Sequence, residues 1–160
     1  MRLLDRLRLK SGGYSVRPLA IDMGVFVGWR LDEQGVEELS KSGFRSIVNL
    51  ARVGEPGQIL APDIEASFAR SFEVEHAHLS VGHFPRREQF EQLCQLIDEL
   101  PRPVYLHSTG GERALALGVA YVARRRGWSG QRALREARSR VITLRSEFLK
   151  DFLLEVVESR

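Results

Sequence analysis

Cysteine is almost absent from this sequence, and long hydrophobic runs are missing altogether. Cys94 is the only cysteine among 160 residues, so an internal disulfide is impossible, and no Cys/His cluster has the spacing of a zinc site. No apolar stretch approaches the ~20 residues that a membrane-spanning helix needs. We therefore expect a cytoplasmic protein without a membrane span, a metal site or a cofactor.

Lysine is scarce as well. Only three of the 24 basic residues are lysine, and the others are arginine, whose planar guanidinium suits two-point contact with phosphate or carboxylate. The densest basic run, residues 124–126, is predicted to be the solvated end of a helix, where cations favour the helix dipole. The net charge is only +3, and no basic motif is interleaved with aromatic residues, so a nucleic-acid partner is not expected.

The composition that remains is that of one globular domain. Hydrophobic residues make up 43% and charged residues 28% of the chain, and no repeat, low-complexity tract or linker divides it. We predict an N-terminal arm over residues 1–22 and a single domain over residues 23–160. The first ten residues place leucines beside basic residues. An amphipathic anchor and the start of a transit peptide both fit that pattern, but an ordinary terminal arm is favoured.

Short β-type runs alternate with helical segments along the domain. Helical periodicity is clearest after Arg86, where Phe90, Leu93 and Cys94 fall on one face, so Cys94 is expected to be a core residue. Strands are predicted over residues 25–29, 46–50, 74–79 and 104–107. Further helices are predicted over residues 32–43, 62–71, 114–122, 129–138 and 144–157. Phe148 lies on the apolar face of the last one. The alternation predicts an α/β fold, a single domain with a short, mostly parallel central sheet flanked by helices.

The turn after the strand at residues 104–107 is the candidate functional site, because parallel sheets bind ligands at the carboxyl ends of their strands. Two adjacent glycines in this turn allow successive N–H groups to point inward, and the following helix adds unpaired N–H groups and the positive end of its dipole. Arg113 supplies a fork matched to two phosphate oxygens. The candidate phosphate-binding residues are Ser108, Thr109, Gly110, Gly111, Glu112 and Arg113. The alternative is a tight turn in which the glycines only solve a steric problem.

This segment carries a family resemblance. The run His107-Ser108-Thr109-Gly110-Gly111-Glu112-Arg113 resembles the signature loop of the protein tyrosine and dual-specificity phosphatase superfamily, His-Cys-…-Gly-…-Arg, with serine in place of cysteine. The similarity extends over roughly residues 26–152 and is strongest to a bacterial phosphatase-like branch with a short loop. It implies a phosphatase-like α/β fold. It also implies cysteinyl-phosphate chemistry, in which a thiolate at position 108 attacks phosphorus, Arg113 binds the equatorial oxygens and a carboxylic acid protonates the leaving oxygen.

The sequence departs from the superfamily pattern at four points. The nucleophile position holds Ser108, an alcohol that the loop cannot ionise. Four residues instead of five separate Ser108 from Arg113, a spacing that rhodanese-type sulfurtransferases share. Ala114 follows where a helping Ser or Thr is common. Finally, Gly82 and His83 stand where an aspartic acid is expected.

The identity of a general acid is therefore open. His83 is a candidate, since imidazolium can donate a proton near neutrality, although a polar surface role is favoured for it. Glu55, Asp63 and Glu112 are further candidates that the sequence does not rank. We expect His107 to orient the loop by hydrogen bonding.

Several functional hypotheses fit these residues. In one, Ser108 is an engineered replacement of the catalytic cysteine of an active tyrosine or dual-specificity phosphatase, made so that substrate binds without turnover. In another, Ser108 is native, and the chain is a pseudophosphatase that recognises a phosphorylated partner. A rhodanese-like sulfurtransferase and a scaffold that uses the turn only structurally are further alternatives. The expected partner is a phosphorylated protein or a small phosphate ester, and the oligomeric state is left open.

Overall fold

The computed structural model describes residues 9–11 and 14–159. In this part of the chain the strands are β1 (Leu9–Ser11), β2 (Tyr14–Val16), β3 (Leu19–Asp22), β4 (Val25–Gly28), β5 (Ser46–Asn49), β6 (Glu75–His78) and β7 (Val104–His107). The helices are α1 (Glu33–Lys41), α2 (Pro62–Ser71), α3 (Arg87–Glu99), α4 (Glu112–Arg126), α5 (Gly130–Arg138) and α6 (Glu147–Glu158). None of these helices is long and apolar enough to cross a membrane.

The central sheet has five strands in the order β3-β4-β7-β5-β6. Strands β4, β5, β6 and β7 run parallel. Along the chain, each of them is connected to the next by a segment that contains a helix. Strand β3 pairs antiparallel with β4. The carboxyl ends of the four parallel strands consequently share one edge of the sheet, which we call the carboxyl edge. Strand β7 lies in the middle of the sheet, so the turn that follows it is at the centre of this edge.

Helices cover the sheet on both faces. Side chains alternate between the faces along each strand. Val104 and Leu106 join a core with α3, α4, α5 and α6, whereas Tyr105 joins a smaller core with α1 and α2. Helix α4 packs so closely on the sheet that a Cβ at Gly118 would come within 2.7 Å of Val27 Cγ1. The structure confirms the predicted α/β domain, and it places α4 directly behind the signature loop.

Most predicted elements are present, with shifts at their ends. Asp32 and Ser129 cap helices as predicted, since their side chains accept amide hydrogen bonds from Gly35 and Arg132. Cys94 is buried in the core as predicted. Residues 124–126 form the last turn of α4, as predicted for a helix end.

The predictions for the two ends of the chain need correction. Strand β3 lies within the predicted N-terminal arm, yet it belongs to the central sheet, and residues 1–8, 12 and 13 of that arm lie outside the described residues. The last helix begins at Glu147, not at residue 144, because Ser146 is its N-cap. Phe148 therefore lies in the first turn, and the residue is 40% exposed although it belongs to the predicted apolar face.

Candidate functional site

The signature loop runs from the end of β7 into the first turn of α4. Gly111 is the N-cap of α4 with φ 82°, a left-handed conformation that favours glycine, and its N–H donates to Ser108 O at 3.3 Å. A Cβ at Gly111 would also come within 2.7 Å of Ile142 Cδ1. A Cβ at Gly110 would meet no atom within 4 Å. Gly111 is thus needed for the turn itself, whereas Gly110 borders open space.

Backbone donors converge at the start of α4. The first backbone hydrogen bond of the helix runs from Leu115 N to Gly111 O at 2.9 Å, so the amides of Glu112 and Arg113 precede the intrahelical pattern. The amide of Ala114 donates to Ser108 Oγ at 3.2 Å. The two remaining amides and the positive end of the α4 dipole are the features that favour an anion at a helix N-terminus.

The Arg113 guanidinium is held from two sides. The residue is only 4% exposed. Its Nη1 donates to Val81 O at 2.7 Å and to Glu55 Oε2 at 3.0 Å, and its Nη2 donates to Glu55 Oε1. These contacts use three of the five N–H groups of a guanidinium. The Nε–H and the second Nη2–H, which share one side of the fork, are left for a two-point contact with an oxyanion.

Glu55 acts on the loop as an ionised carboxylate. It accepts hydrogen bonds from Arg52 N at 3.0 Å and from Thr109 Oγ1, in addition to those from Arg113. Burial raises the pKa of this carboxyl, but the hydrogen bonds from Arg113 and Thr109 outweigh it and lower the pKa to about 2. A group with that pKa holds no proton near neutrality, so Glu55 is not a proton donor in this geometry. It positions Arg113 instead, a contact across 58 residues of chain that the sequence did not reveal.

Ser108 is fully buried at the base of the loop. Its hydroxyl accepts the Ala114 amide, and among the described residues no carboxylate or imidazole is its hydrogen-bond partner. An alcohol needs such a base to become a nucleophile. The free thiol of Cys94 lies in α3, where burial raises its pKa to about 12, so it does not substitute for the missing cysteine.

The remaining acid candidates lie around the loop, not inside it. His83 is exposed in the loop that contributes Val81 O to Arg113. Asp63 is exposed and accepts a hydrogen bond from Ile64 N at 3.0 Å. Glu112 Oε1 accepts the amides of Arg145 and Ser146, both at 2.6 Å. The Glu112 side chain therefore anchors the start of α6, and only its backbone belongs to the signature loop.

His107 is part of a buried network under the loop. Its Nε2 lies 2.9 Å from Glu65 Oε2, and His76 Nε2 lies 2.7 Å from the same oxygen. Burial raises the pKa of the Glu65 carboxyl, but the charge and hydrogen bond of His107 and the hydrogen bond of His76 lower it to about 2. His107 Nδ1 is buried without a hydrogen-bond partner. Sequence reasoning assigned an orienting role to His107 but missed Glu65, which is 42 residues away.

The sequence that forms this site matches a known protein family. The family described as DSP-PTPase phosphatase fused to NAD+ kinase matches residues 16–152. A protein of Oryza sativa subsp. japonica named "Probable NAD kinase 2, chloroplastic" is 28% identical over 93 residues, which are 57% of this chain and 10% of that protein. The chain thus spans about a tenth of the length of this curated relative.

Solved phosphatase structures share the fold. Tk-PTP in its active form has a TM-score of 0.73 and 26% identity, over 87% of this chain and 95% of that one. Kinase associated phosphatase, in a form whose catalytic-site cysteine is replaced by serine, has a TM-score of 0.68 and 16% identity, over 84% of this chain and 86% of that one. At that level of identity the second likeness shows the fold alone.

Proposed function

The chain belongs to the family described as DSP-PTPase phosphatase fused to NAD+ kinase, a branch of the dual-specificity phosphatase superfamily, and from that premise we propose that it binds a phosphate monoester in the 107–113 loop. The observation that carries the proposal is the setting of Arg113. Its buried guanidinium is fixed by Glu55 and Val81 O while one side of the fork stays available. Fixed in this way, the guanidinium offers the Nε side of its fork to two oxygens of an oxyanion.

Ser108 decides what happens after binding. With a cysteine at this position, the thiolate would form a bond to phosphorus as the phosphorus–oxygen bond to the leaving group breaks. The leaving oxygen would take a proton, and water would then hydrolyse the thiophosphate. The loop favours a thiolate through the helix dipole and Arg113. An alcohol has a far higher pKa, and the Ser108 hydroxyl lacks a base partner. Binding without efficient hydrolysis is the expected behaviour of this chain.

The proton donor of a cysteine-containing form is assigned to His83. It is the titratable residue of the loop at residues 80–85, which supplies Val81 O to Arg113. It is exposed and lies two residues after Val81, whose carbonyl accepts from Arg113. Glu55 is unsuited to the role because its pKa is lowered to about 2.

The anion-binding chemistry of the loop also indicates the kind of partner. A protein phosphorylated on a side chain and a small phosphate ester both present a dianionic monoester that the loop can bind. In a chain that does not hydrolyse the ester, recognition of a phosphorylated partner is itself the function. Ala114 and the absence of an aspartic acid at Gly82 and His83 favour this pseudophosphatase role, whereas the otherwise complete loop favours an active parent phosphatase.

Two substitutions at one position test the proposal. Inorganic phosphate is titrated calorimetrically into the chain and into Ser108→Ala, and turnover of an aryl phosphate is measured for the chain and for Ser108→Cys. We expect phosphate binding by both the chain and Ser108→Ala, and turnover by Ser108→Cys alone. Cys94 is present in every form, so any thiol activity that appears arises at position 108.

The phosphate titration and the turnover assay test different hypotheses. Absence of phosphate binding would refute the proposed function. Normal phosphate binding by an inactive Ser108→Cys variant would refute the descent from an active cysteinyl phosphatase and leave the pseudophosphatase role standing.

A further inference from the structure

The exposed large hydrophobic side chains of the described residues are all at the carboxyl edge. They are Val53, Ile59, Ile64, Phe84, Val141 and Phe148. Each lies in a loop that follows a parallel strand, in the first turn of a helix that begins at this edge, or in the α5–α6 connection that contacts Gly111 through Ile142. The amino edge of the sheet has none among the described residues. Hydrophobic exposure confined to one edge marks an interaction surface.

Two patches flank the signature loop. The aliphatic patch (Val53, Ile59 and Ile64) comes from the β5–α2 connection and the first turn of α2, and Ile59 precedes Leu60, which packs on the core that α1 and α2 form. The aromatic patch (Phe84 and Phe148) comes from the β6–α3 connection and the first turn of α6, on the face that α3 to α6 cover. The signature loop follows the central strand β7, so it lies between the patches.

Both patches are tied to the binding loop by short connections. The β5–α2 segment includes Glu55, whose carboxylate holds Arg113 and Thr109. Phe84 lies three residues after Val81, the residue whose carbonyl accepts from Arg113. Phe148 lies two residues after Ser146, whose amide donates to Glu112. A ligand in the loop would therefore meet apolar surface on either side of it.

The rings of the aromatic patch pack on one another and on the core although Phe84 is exposed. Phe84 is 71% exposed, and its ring packs edge-to-face on Phe148 with the centroids 5.0 Å apart. Phe148 in turn stacks on Phe152, which is buried. Aromatic rings fixed in this way offer contact area at little cost in side-chain entropy, as in many binding sites.

We propose that the partner is a phosphorylated protein segment with apolar residues on both sides of its phosphorylated residue. This inference rests on the proposed function of the 107–113 loop and adds the sequence context that it selects. A polypeptide continues in two directions from its phosphorylated side chain, so it reaches two patches on opposite sides of the loop. A lipid with a terminal phosphate has its apolar part in one direction only.

The charges around the loop also favour a protein over an anionic membrane. Exposed arginines at this edge are accompanied by exposed carboxylates, and both signs occur in the first turns and connections. The arginines are Arg52, Arg86 and Arg145, and the carboxylates are Asp63, Glu88 and Glu147. An anionic bilayer attracts a surface of uniformly basic character, whereas mixed charges around apolar patches are typical of a protein–protein interface.

Synthetic phosphopeptides test the inference. One peptide carries leucine or phenylalanine two and three residues to each side of a phosphorylated residue, and a second carries serine at those positions. We expect the apolar peptide to bind at least about tenfold more tightly, the gain from burying one or two apolar side chains. Binding is measured by fluorescence anisotropy, with inorganic phosphate titrated in parallel.

Matched surface variants locate the contact. Val53→Ser and Phe84→Ser should each reduce the preference for the apolar peptide while leaving phosphate affinity unchanged. Val141→Ser is the control, because Val141 is 68% exposed, close to the 73% of Val53, but lies outside both patches. It should leave the preference intact.

Several results would overturn the inference. Equal affinity for the two peptides would remove the role of the patches while the phosphate site stands. An equal effect of Val141→Ser would show that the contact is not confined to the patches. Tighter association with phosphatidylcholine vesicles containing phosphatidic acid than with either peptide would identify a membrane partner instead. Failure to bind phosphate and both peptides would refute the proposed function as well.

Discussion

Arginine–carboxylate clusters occupy both ends of α4, and they differ in one respect. At the amino end, buried Arg113 is paired with Glu55 and keeps two N–H groups unused. At the other end, Asp98 accepts from Arg125 and from Tyr121 Oη at 2.6 Å. Arg102 completes that cluster by donating to Tyr121 Oη at 2.5 Å. The second cluster is partly solvated, whereas the first is buried and, under the proposed function, is completed by a bound anion.

The arginines at the two ends of α4 also differ in their interaction with the helix dipole. Cations in the last turn of a helix are favoured, and residues 124–126 supply three arginines there. Arg113 lies in the first turn of the same helix, where a positive charge opposes the dipole. An arginine placed against the dipole and away from solvent costs stability, and that cost is typical of a ligand-binding residue. The difference between the clusters thus separates the proposed binding site from a structural cluster.

Removing one arginine from each cluster should produce the largest difference in phosphate binding between them. Arg113→Ala should weaken phosphate binding by more than about 100-fold, roughly 2.7 kcal/mol, because the fork that meets the oxyanion is lost. Arg125→Ala should change it less than about twofold, since Arg125 contacts Asp98 and the Tyr121 ring at the other end of α4. Isothermal titration with inorganic phosphate measures both, and similar losses in the two variants would contradict the distinction.

Acid should act mainly on the carboxylates beneath and beside the loop. The pKa of Glu65 is lowered from 4.5 to about 2 in the folded protein, so its ionised form stabilises the fold above its unfolded pKa. That contribution is lost as the pH falls through the folded pKa. Urea unfolding between pH 5 and pH 2 should show a loss on the order of 2 kcal/mol from this group.

Two variants identify the source of that acid dependence. Glu65→Gln should remove this part of the pH dependence. Asp98→Asn should leave most of it, because Asp98 is partly exposed to solvent. An unchanged pH profile in Glu65→Gln would rule out Glu65 as the acid-sensitive group.

Loosening Arg113 without removing it should have a smaller effect. Glu55→Gln keeps the shape of the side chain but loses the charge and one of the acceptors that fix the guanidinium. We expect phosphate affinity to fall about tenfold, roughly 1.4 kcal/mol. Asp98→Asn, the corresponding change at the other cluster, should leave phosphate affinity unaltered in the same titration. Stronger phosphate binding by Glu55→Gln would instead show that the carboxylate competes with the ligand.

The smallest expected effect is on the free energy of unfolding, when a hydrogen-bonding group of the Asp98 cluster is removed. Tyr121→Phe removes the hydroxyl that links Arg102 to Asp98, while Asp98 keeps Arg125. The free energy of unfolding should fall by about 1 kcal/mol, the net value of a hydrogen bond. Chemical denaturation measures the loss, and phosphate binding should not change. A change in phosphate affinity would show that the two clusters are coupled through α4.

Local patterns in the sequence were sufficient for the fold and for the position of the loop. The alternation of β-type and helical runs predicted the parallel sheet, and the adjacent glycines before Arg113 marked the strand-to-helix turn. Strand β3 was missed, although the alternation of Leu19, Ala20 and Ile21 was a usable signal. The stripe that placed Phe148 on the apolar face of the last helix gave the helical face correctly, but periodicity carries no information about where the helix meets solvent.

The contacts that define the site were beyond sequence reasoning because they join distant segments. Glu55 was noticed only as one of several acids, in a turn rich in glycine and proline. Its contact with Arg113 depends on how the β5–α2 connection folds over the loop. Glu65 lies on a helix of weak pattern, and nothing local indicates that two histidines share its carboxylate.

Glu112 connects the signature loop to the start of α6. Its backbone belongs to the loop, while its carboxylate holds the amides of Arg145 and Ser146, which begin the helix that carries Phe148. The first turn of α4 and the first turn of α6 are thus one connected unit. If an anion in the loop shifts that unit, it changes the affinity of the aromatic patch by some factor, and occupancy of the patch changes anion affinity by the same factor. Phosphate and its flanking sequence would then be recognised cooperatively, not as two independent contacts.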